Sequence, residues 1–200
     1  MANLSSISAA GKSIERLLTA AFNEKDVLDV LKLPKTPKAF LIRTEDFDQS
    51  PNATIIQRPA VSIFLYRVDF NKAMRAAWSG VTYHDGLPHL PLDLHFLLTP
   101  WADNAESEHA LLGCAMQCLD ATPILSGPLL HQSGEWAPNE AVQLVMEELS
   151  TEAVMRTFDS LPSDYRISVP YVARVVRLDG RQAVQAPPVT TIITGKTPSP

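Results

Sequence analysis

Cysteine and clusters of basic residues are scarce in this chain, and each shortage argues against a class of protein. Cys114 and Cys118 are the only two cysteines; they lie four apart on a predicted helix, so we expect reduced, buried core residues rather than half of a zinc site. Seventeen basic side chains stand against twenty-two acidic ones, for a net charge of −5. A general nucleic-acid-binding protein needs clustered Lys and Arg, and this sequence has no such cluster.

Long apolar runs are also missing. The longest are far short of the roughly 20 residues that span a bilayer, so no membrane insertion is expected. Residues 1–18 do not combine a basic opening with an apolar core and a cleavage site, so no secretory signal is indicated. We therefore expect synthesis and folding in the cytoplasm. The 46% hydrophobic and 20% charged fractions are those of an ordinary globular protein.

Motifs that would support catalysis or cofactor binding are incomplete. Gly11-Lys12-Ser13 resembles the end of a phosphate-binding loop, but that motif needs a glycine where Ser6 stands, and it must follow a strand. No Gly-x-Ser-x-Gly elbow is present. Five histidines lack the spacing of metal ligands: His84, His89, His95, His109 and His131. The sequence predicts no catalytic residue, no cofactor site and no metal site, and hence a protein that is not an enzyme.

The spacing of apolar residues predicts secondary structure in the order α-β-β-β-α-β-α-β. Helical periodicity covers residues 7–22, 103–119 and 150–158, with a shorter helical piece at 27–33. The predicted strands are 39–42, 60–68, 90–98, 141–146 and 167–178. Two of them, 60–68 and 90–98, are apolar on both faces, which is typical of strands covered on both sides. The fold class is therefore α/β (α+β), with a single mixed sheet and helices packed on it.

The end of the sequence differs from this pattern and is expected to form an extended C-terminal arm, residues 183–200, after a domain of residues 1–182. Pro187 and Pro188 favour an extended exit from the domain. Six β-branched residues follow, a composition that favours a strand: Val189, Thr190, Thr191, Ile192, Ile193 and Thr194. An isolated strand is unstable, so these six are the predicted partner-binding residues. Pairing with the chain's own sheet stays open as the alternative.

Several segments together resemble a known family. Residues 58–68 (RPAVSIFLYRV), with Asn71 and Arg75 after them, are similar to its first central strand. Further similar segments, in the same order and spacing, are 90–99 (LPLDLHFLLT), 108–113 (EHALLG), 119–125 (LDATPIL) and 166–176 (RISVPYVARVV). The family is the tail terminator, or cap, protein of extracellular contractile injection systems, of the Photorhabdus virulence cassette and antifeeding prophage type. The resemblance covers roughly residues 4–180, and the arm has no counterpart in it.

The resemblance implies a structural protein that closes the distal end of an inner tube and its contractile sheath. It implies a ring of identical subunits, six in number, with sheath and inner-tube proteins as partners. Such a chain is assembled in the cytoplasm into an injection particle that is either released or anchored. Two alternatives stay open: a small-ligand or effector-binding module, recognised by an apolar pocket with converging polar groups, and an assembly chaperone of the same particle.

Overall fold

Six strands form one mixed sheet in the computed structural model, which describes residues 4–48, 56–74 and 89–179. The strands are β1 (Lys38–Ile42), β2 (Ala60–Phe70), β3 (His89–Trp101), β4 (Ile124–Ser126), β5 (Ala141–Met146) and β6 (Val169–Asp179). Their order across the sheet is β1-β2-β3-β6-β5-β4. β1 runs parallel to β2, and the other pairs are antiparallel. The predicted single mixed sheet is confirmed.

Four helices lie wholly within the described residues: α1 (Ser6–Phe22), α2 (Lys25–Leu31), α3 (Ala105–Ala121) and α4 (Thr151–Asp159). Polar side chains mark the starts of two of them. Asn104 accepts a hydrogen bond from the Ser107 N–H at the start of α3, and Ser150 accepts one from the Ala153 N–H at the start of α4. Each bond satisfies an N–H that the helix itself leaves unpaired. The sequence predicted both starts.

Strand β4 was missed by the sequence prediction, and β2 and β3 are longer than predicted. β4 has three residues, of which only Leu125 is buried, so it is too short to show an alternation. β2 continues to Phe70 although its last four residues are exposed. Those residues pair with β3 as far as Leu92, so the ladder of backbone hydrogen bonds extends this strand where burial does not.

The larger of two apolar clusters lies between the sheet and helices α1 and α3. α1 contributes a stripe at helical spacing, of which Ile14, Leu18 and Phe22 are fully buried. Gly11 lies on the same helix where it approaches β1: a Cβ atom there would come within 2.8 Å of the Leu41 side chain. Close packing of helix on strand therefore accounts for the glycine in the sequence that resembles a phosphate-binding loop.

The second cluster covers part of the opposite face of the sheet. A 3₁₀ turn at Thr44–Phe47 places the Phe47 ring edge-on to Phe64, with centroids 5.1 Å apart. Phe47 also meets Phe158 of α4 edge-on, at 6.1 Å. Trp101 closes the cluster, and its buried indole N–H donates to the Ser62 hydroxyl at 2.8 Å. One aromatic residue from a turn thus joins β2, β3 and α4.

Phe47→Ala should therefore lower the free energy of unfolding by about 3–5 kcal/mol, because it removes a fully buried ring from the centre of this cluster. The matched control is Met155→Ala on α4, where the side chain is 48% exposed and the expected change is within about 0.5 kcal/mol. Urea unfolding followed by circular dichroism measures both. Equal losses for the two variants would contradict the assignment of Phe47 as the anchor.

The two cysteines are half-buried, which corrects the prediction that they lie in the core. They lie on α3 at the margin of the larger cluster. Burial, followed by the nearby Cys114 and Glu24, raises the pKa of the Cys118 thiol to about 11. Burial also raises the pKa of Cys114. Both groups are thiols rather than thiolates near neutral pH, and thiols are poor nucleophiles.

A disulfide reagent should accordingly react slowly with Cys118 in the folded protein at pH 8. A pKa of about 11 instead of about 9 leaves roughly a hundredfold less thiolate. The rate should rise with pH up to about 11, and both thiols should react at the rate of a free thiol in denaturant. Stopped-flow absorbance on the Cys114→Ser variant isolates Cys118. A folded-state rate equal to the denatured rate would contradict the expectation.

Candidate assembly surfaces

A β-bulge in β2 directs two neighbouring side chains towards one carboxylate. Leu65 pairs with Phe96 and Arg67 with His95, so Tyr66 is the extra residue. A bulge re-aims side chains in this way. The Tyr66 hydroxyl donates to Glu147 Oε2 and an Arg67 Nη2–H donates to Glu147 Oε1, both at 2.9 Å. Glu147 directly follows β5, so this contact ties β2 to the other half of the sheet.

His95 of β3 completes this polar cluster, which lies on the face of the sheet opposite α1 and α3. Its Nδ1 is 2.8 Å from Glu147 Oε2, and its Nε2 is 3.3 Å from Asp69 Oδ2. Burial raises the pKa of Glu147, but the hydrogen bonds from His95 and Tyr66 and the Arg67 charge outweigh it and hold that pKa below its usual value. A carboxylate that accepts several donors joins strands and is not poised as a base.

Glu147→Gln should destabilise the fold by about 1–3 kcal/mol at pH 7, since partly buried donors lose a charged acceptor. The folded-state pKa is depressed, so this stabilisation is present above the unfolded glutamate pKa and is lost as the pH falls through the lower folded value. The difference between wild type and variant should therefore shrink below about pH 4.5. Thermal melts from pH 3 to 7 measure it.

The matched control is Glu148→Gln, one residue along the chain, where the side chain is exposed. It removes the same charge, so a change within about 0.5 kcal/mol is expected. A gap between Glu147→Gln and wild type that stays constant over the whole pH range would show that the carboxylate charge is not what stabilises the cluster.

A second polar cluster lies at the C-terminal end of β6, next to Asp179. The side chains of His89 and Asp179 are 1% and 5% exposed, with Nδ1 and Oδ1 2.6 Å apart. Arg177 forms ion pairs with Asp179, at 2.7 Å, and with Glu140, at 3.0 Å. His89 begins β3 and Asp179 ends β6, so these contacts join the start of one strand to the end of the other.

The two edges of the sheet differ in how far they are covered: one is the edge of β1, and the other is the edge of β5 that β4 covers only in part. At β1, the Ala39 N–H donates to the Thr19 hydroxyl of α1 at 3.2 Å, so this edge is partly occupied by the chain's own helix. The groove beside it is lined by three basic side chains, Lys12, Arg16 and Lys38, together with Glu15 and His131. The β1 edge is therefore partly closed and positively charged.

The edge of β5 is open for part of its length. β4 pairs with Ala141–Gln143, and the Leu144 N–H donates to the Pro123 carbonyl just before β4. The Glu147 N–H instead donates to Pro170 on the β6 side. Because successive residues of a strand face opposite edges, the N–H and C=O of Met146 face outward, where β4 no longer runs.

Exposed apolar side chains are grouped at the same end of the sheet. Among the described residues, five of the large exposed apolar side chains belong to β4, β5, α4 and the segment before β6: Ile124, Met146, Met155, Tyr165 and Ile167. The Met146 side chain, at 57% exposure, borders two grooves, one beside α3 and one beside α4. The open edge thus has an apolar residue at its centre and a groove on each side.

The predicted partner-binding residues, Val189, Thr190, Thr191, Ile192, Ile193 and Thr194, lie outside the described residues, as does the predicted domain boundary at residue 182. Sequence reasoning missed the polar clusters, although period-two spacing places His89, Asp93 and His95 on one face of β3. Within residues 4–48, 56–74 and 89–179, no cluster of three His, Cys, Asp or Glu side chains has a metal-binding arrangement. In the same residues, no helix has the length and apolarity needed to cross a membrane.

Two solved structures share this fold. The sheath/tube terminator of the PVC extracellular contractile injection system, in its extended state, matches with a TM-score of 0.55 and 20% identity; 96% of this chain and 63% of that chain are covered. The tube-terminating cap of the anti-feeding prophage matches with a TM-score of 0.54 and 16% identity, covering 94% and 60%. The chain spans about three fifths of the length of each.

Comparison of the sequence with protein families agrees with the structural matches. No curated protein sequence matches the chain at a significant level. A family model does match, and it covers the described strands and all four helices apart from the first turn of α1. That model is described as the Pvc16 N-terminal domain, and it matches residues 10–192. The match includes residues 183–192, so the expectation that the arm has no counterpart in the family is wrong for that part of the arm. The chain therefore belongs to the Pvc16 N-terminal domain family.

Proposed function

We propose that this chain is a structural cap that closes the distal end of the inner tube and contractile sheath of a phage-tail-like injection particle. The observation that carries the proposal is membership of the Pvc16 N-terminal domain family over residues 10–192, together with a fold shared with two terminators. The tube and sheath proteins are the proposed partners. The cap is proposed to act without catalysis, to assemble in the cytoplasm, and to remain part of the particle.

The cap is proposed to be a ring of six identical subunits. A ring closes through heterologous contacts, in which one surface of a subunit meets a different surface of the next. The described residues offer such different surfaces, a basic groove beside β1 and an open strand edge with exposed apolar side chains at β5. A sheet tied together by the Glu147 cluster supports such contacts because it holds the surfaces in fixed positions.

The sequence alone left two alternatives, a ligand-binding module and an assembly chaperone. Neither gains support from the relatives, since the two matched structures are a sheath/tube terminator and a tube-terminating cap. Residues Val189–Thr194 are proposed to bind a partner by strand addition, in which main-chain hydrogen bonds supply affinity. Their composition of β-branched residues supports this role.

Removing residues 187–200 should leave the melting temperature within a few degrees and weaken assembly. The truncated and full-length chains are each produced with the tube and sheath proteins, and particles are imaged by negative stain. Full-length chain should give particles of one length with a ring at one end; the truncated chain should give uncapped or overlong particles. The proposal of a cap fails if full-length chain is absent from particles whose length stays uniform without it.

A further inference from the structure

We infer that the open edge of β5, centred on Met146, is the acceptor for the segment Val189–Thr194 of a second copy of this chain, added as a strand that continues the line of β4. This inference rests on the proposed ring of identical subunits.

The backbone of the β5 edge is suited to strand addition. β4 stops opposite Gln143, and the Leu144 N–H donates to Pro123, so the outward N–H and C=O of Met146 have no neighbouring strand in the described part of the chain. An unpaired edge is a template for another strand. The grooves on the two sides of Met146 would receive alternate side chains of that strand. Val189–Thr194 has an apolar residue on each of its faces, Val189 and Ile193 on one and Ile192 on the other.

Charge selects between the two edges of the sheet. Residues 180–200 contain Arg181 and Lys196 and no acidic residue. The β5 edge is bordered by acidic side chains, Asp120 in the groove beside α3 and Glu148 in the groove beside α4. The β1 edge is instead bordered by Lys12, Arg16 and Lys38. A positively charged segment is therefore attracted to the β5 edge and repelled by the β1 edge.

Length allows the segment to reach this edge in its own copy as well as in a second copy. Nine residues join Asp179 to Val189, and they span roughly 30 Å when fully extended. Met146 pairs with Tyr171, eight residues back along β6, which is roughly 26 Å from Asp179, and the new strand lies about two strand spacings to the side. The direct distance is therefore about 28 Å, within reach of the extended linker. The choice of a second copy rests on the proposed ring, in which one surface of a subunit meets a different surface of the next.

Cysteine cross-linking between differently labelled copies tests the inference. One chain carries Met146→Cys and the other Thr191→Cys, both with Cys114→Ser and Cys118→Ser so that only introduced thiols react. The two are mixed, assembled and oxidised, and disulfide-linked dimers are expected on a denaturing gel. The matched control replaces Met146→Cys by Lys38→Cys on the β1 edge, and its dimer band should be absent. Melting curves of all variants verify that they are folded.

The possible outcomes separate this inference from the proposed function. A dimer band equal to that of the control, or no band, overturns the β5 assignment, while rings seen in the same sample leave the cap function intact. A double variant Met146→Cys/Thr191→Cys that cross-links only within one chain overturns the second copy as donor. Dimers that form although no ring or particle end contains the chain support strand exchange and count against the cap function.

Discussion

The pairing of β3 with β2 on one side and β6 on the other is the interaction on which the rest of the structure depends. β3 is the longest strand, and it pairs along most of its length with both neighbours. Its even-numbered side chains from Leu92 to Leu98 support α1 and α3, and its odd-numbered ones support the Phe47 cluster and the polar residues. A strand that is covered on both faces leaves little freedom in register, since a slip of one residue would exchange the two faces.

The sequence predicted the helices and strands that are marked by a pattern within their own residues. Helices α1, α3 and α4 have a clear apolar period or a capping residue, and strands β2 and β3 are apolar runs bounded by proline or polar turns. The strand order was not predicted, because β6 lies between β3 and β5 through contacts between residues far apart in the sequence. β4 was missed for a related reason: three residues become a strand only because β5 lies beside them.

The surface was less predictable than the core. The Glu147 cluster combines residues from β2, β3 and the segment after β5. No short sequence motif predicts that these residues come into contact. That contact depends on the bulge at Tyr66, which shifts two side chains towards one carboxylate. The partial exposure of Cys114 and Cys118 likewise depends on which parts of the folded chain pack against α3, and no local pattern gives that. The sequence offered one signal for the Glu147 cluster, which is the presence of polar residues such as His95 on an otherwise apolar strand.

The position of β6 has a mechanical consequence. It lies inside the sheet, with β3 along its whole length and β5 along part of it, and the chain continues from its end towards residues 180–200. A pull applied at Asp179 along the axis of β6 would strain the hydrogen bonds to β3 first, because β5 pairs only with Tyr171–Arg174. The bonds to both neighbours would have to break before β6 could slide, whereas an outer strand has bonds on one side only. The buried contact between His89 and Asp179 lies where such a load would enter.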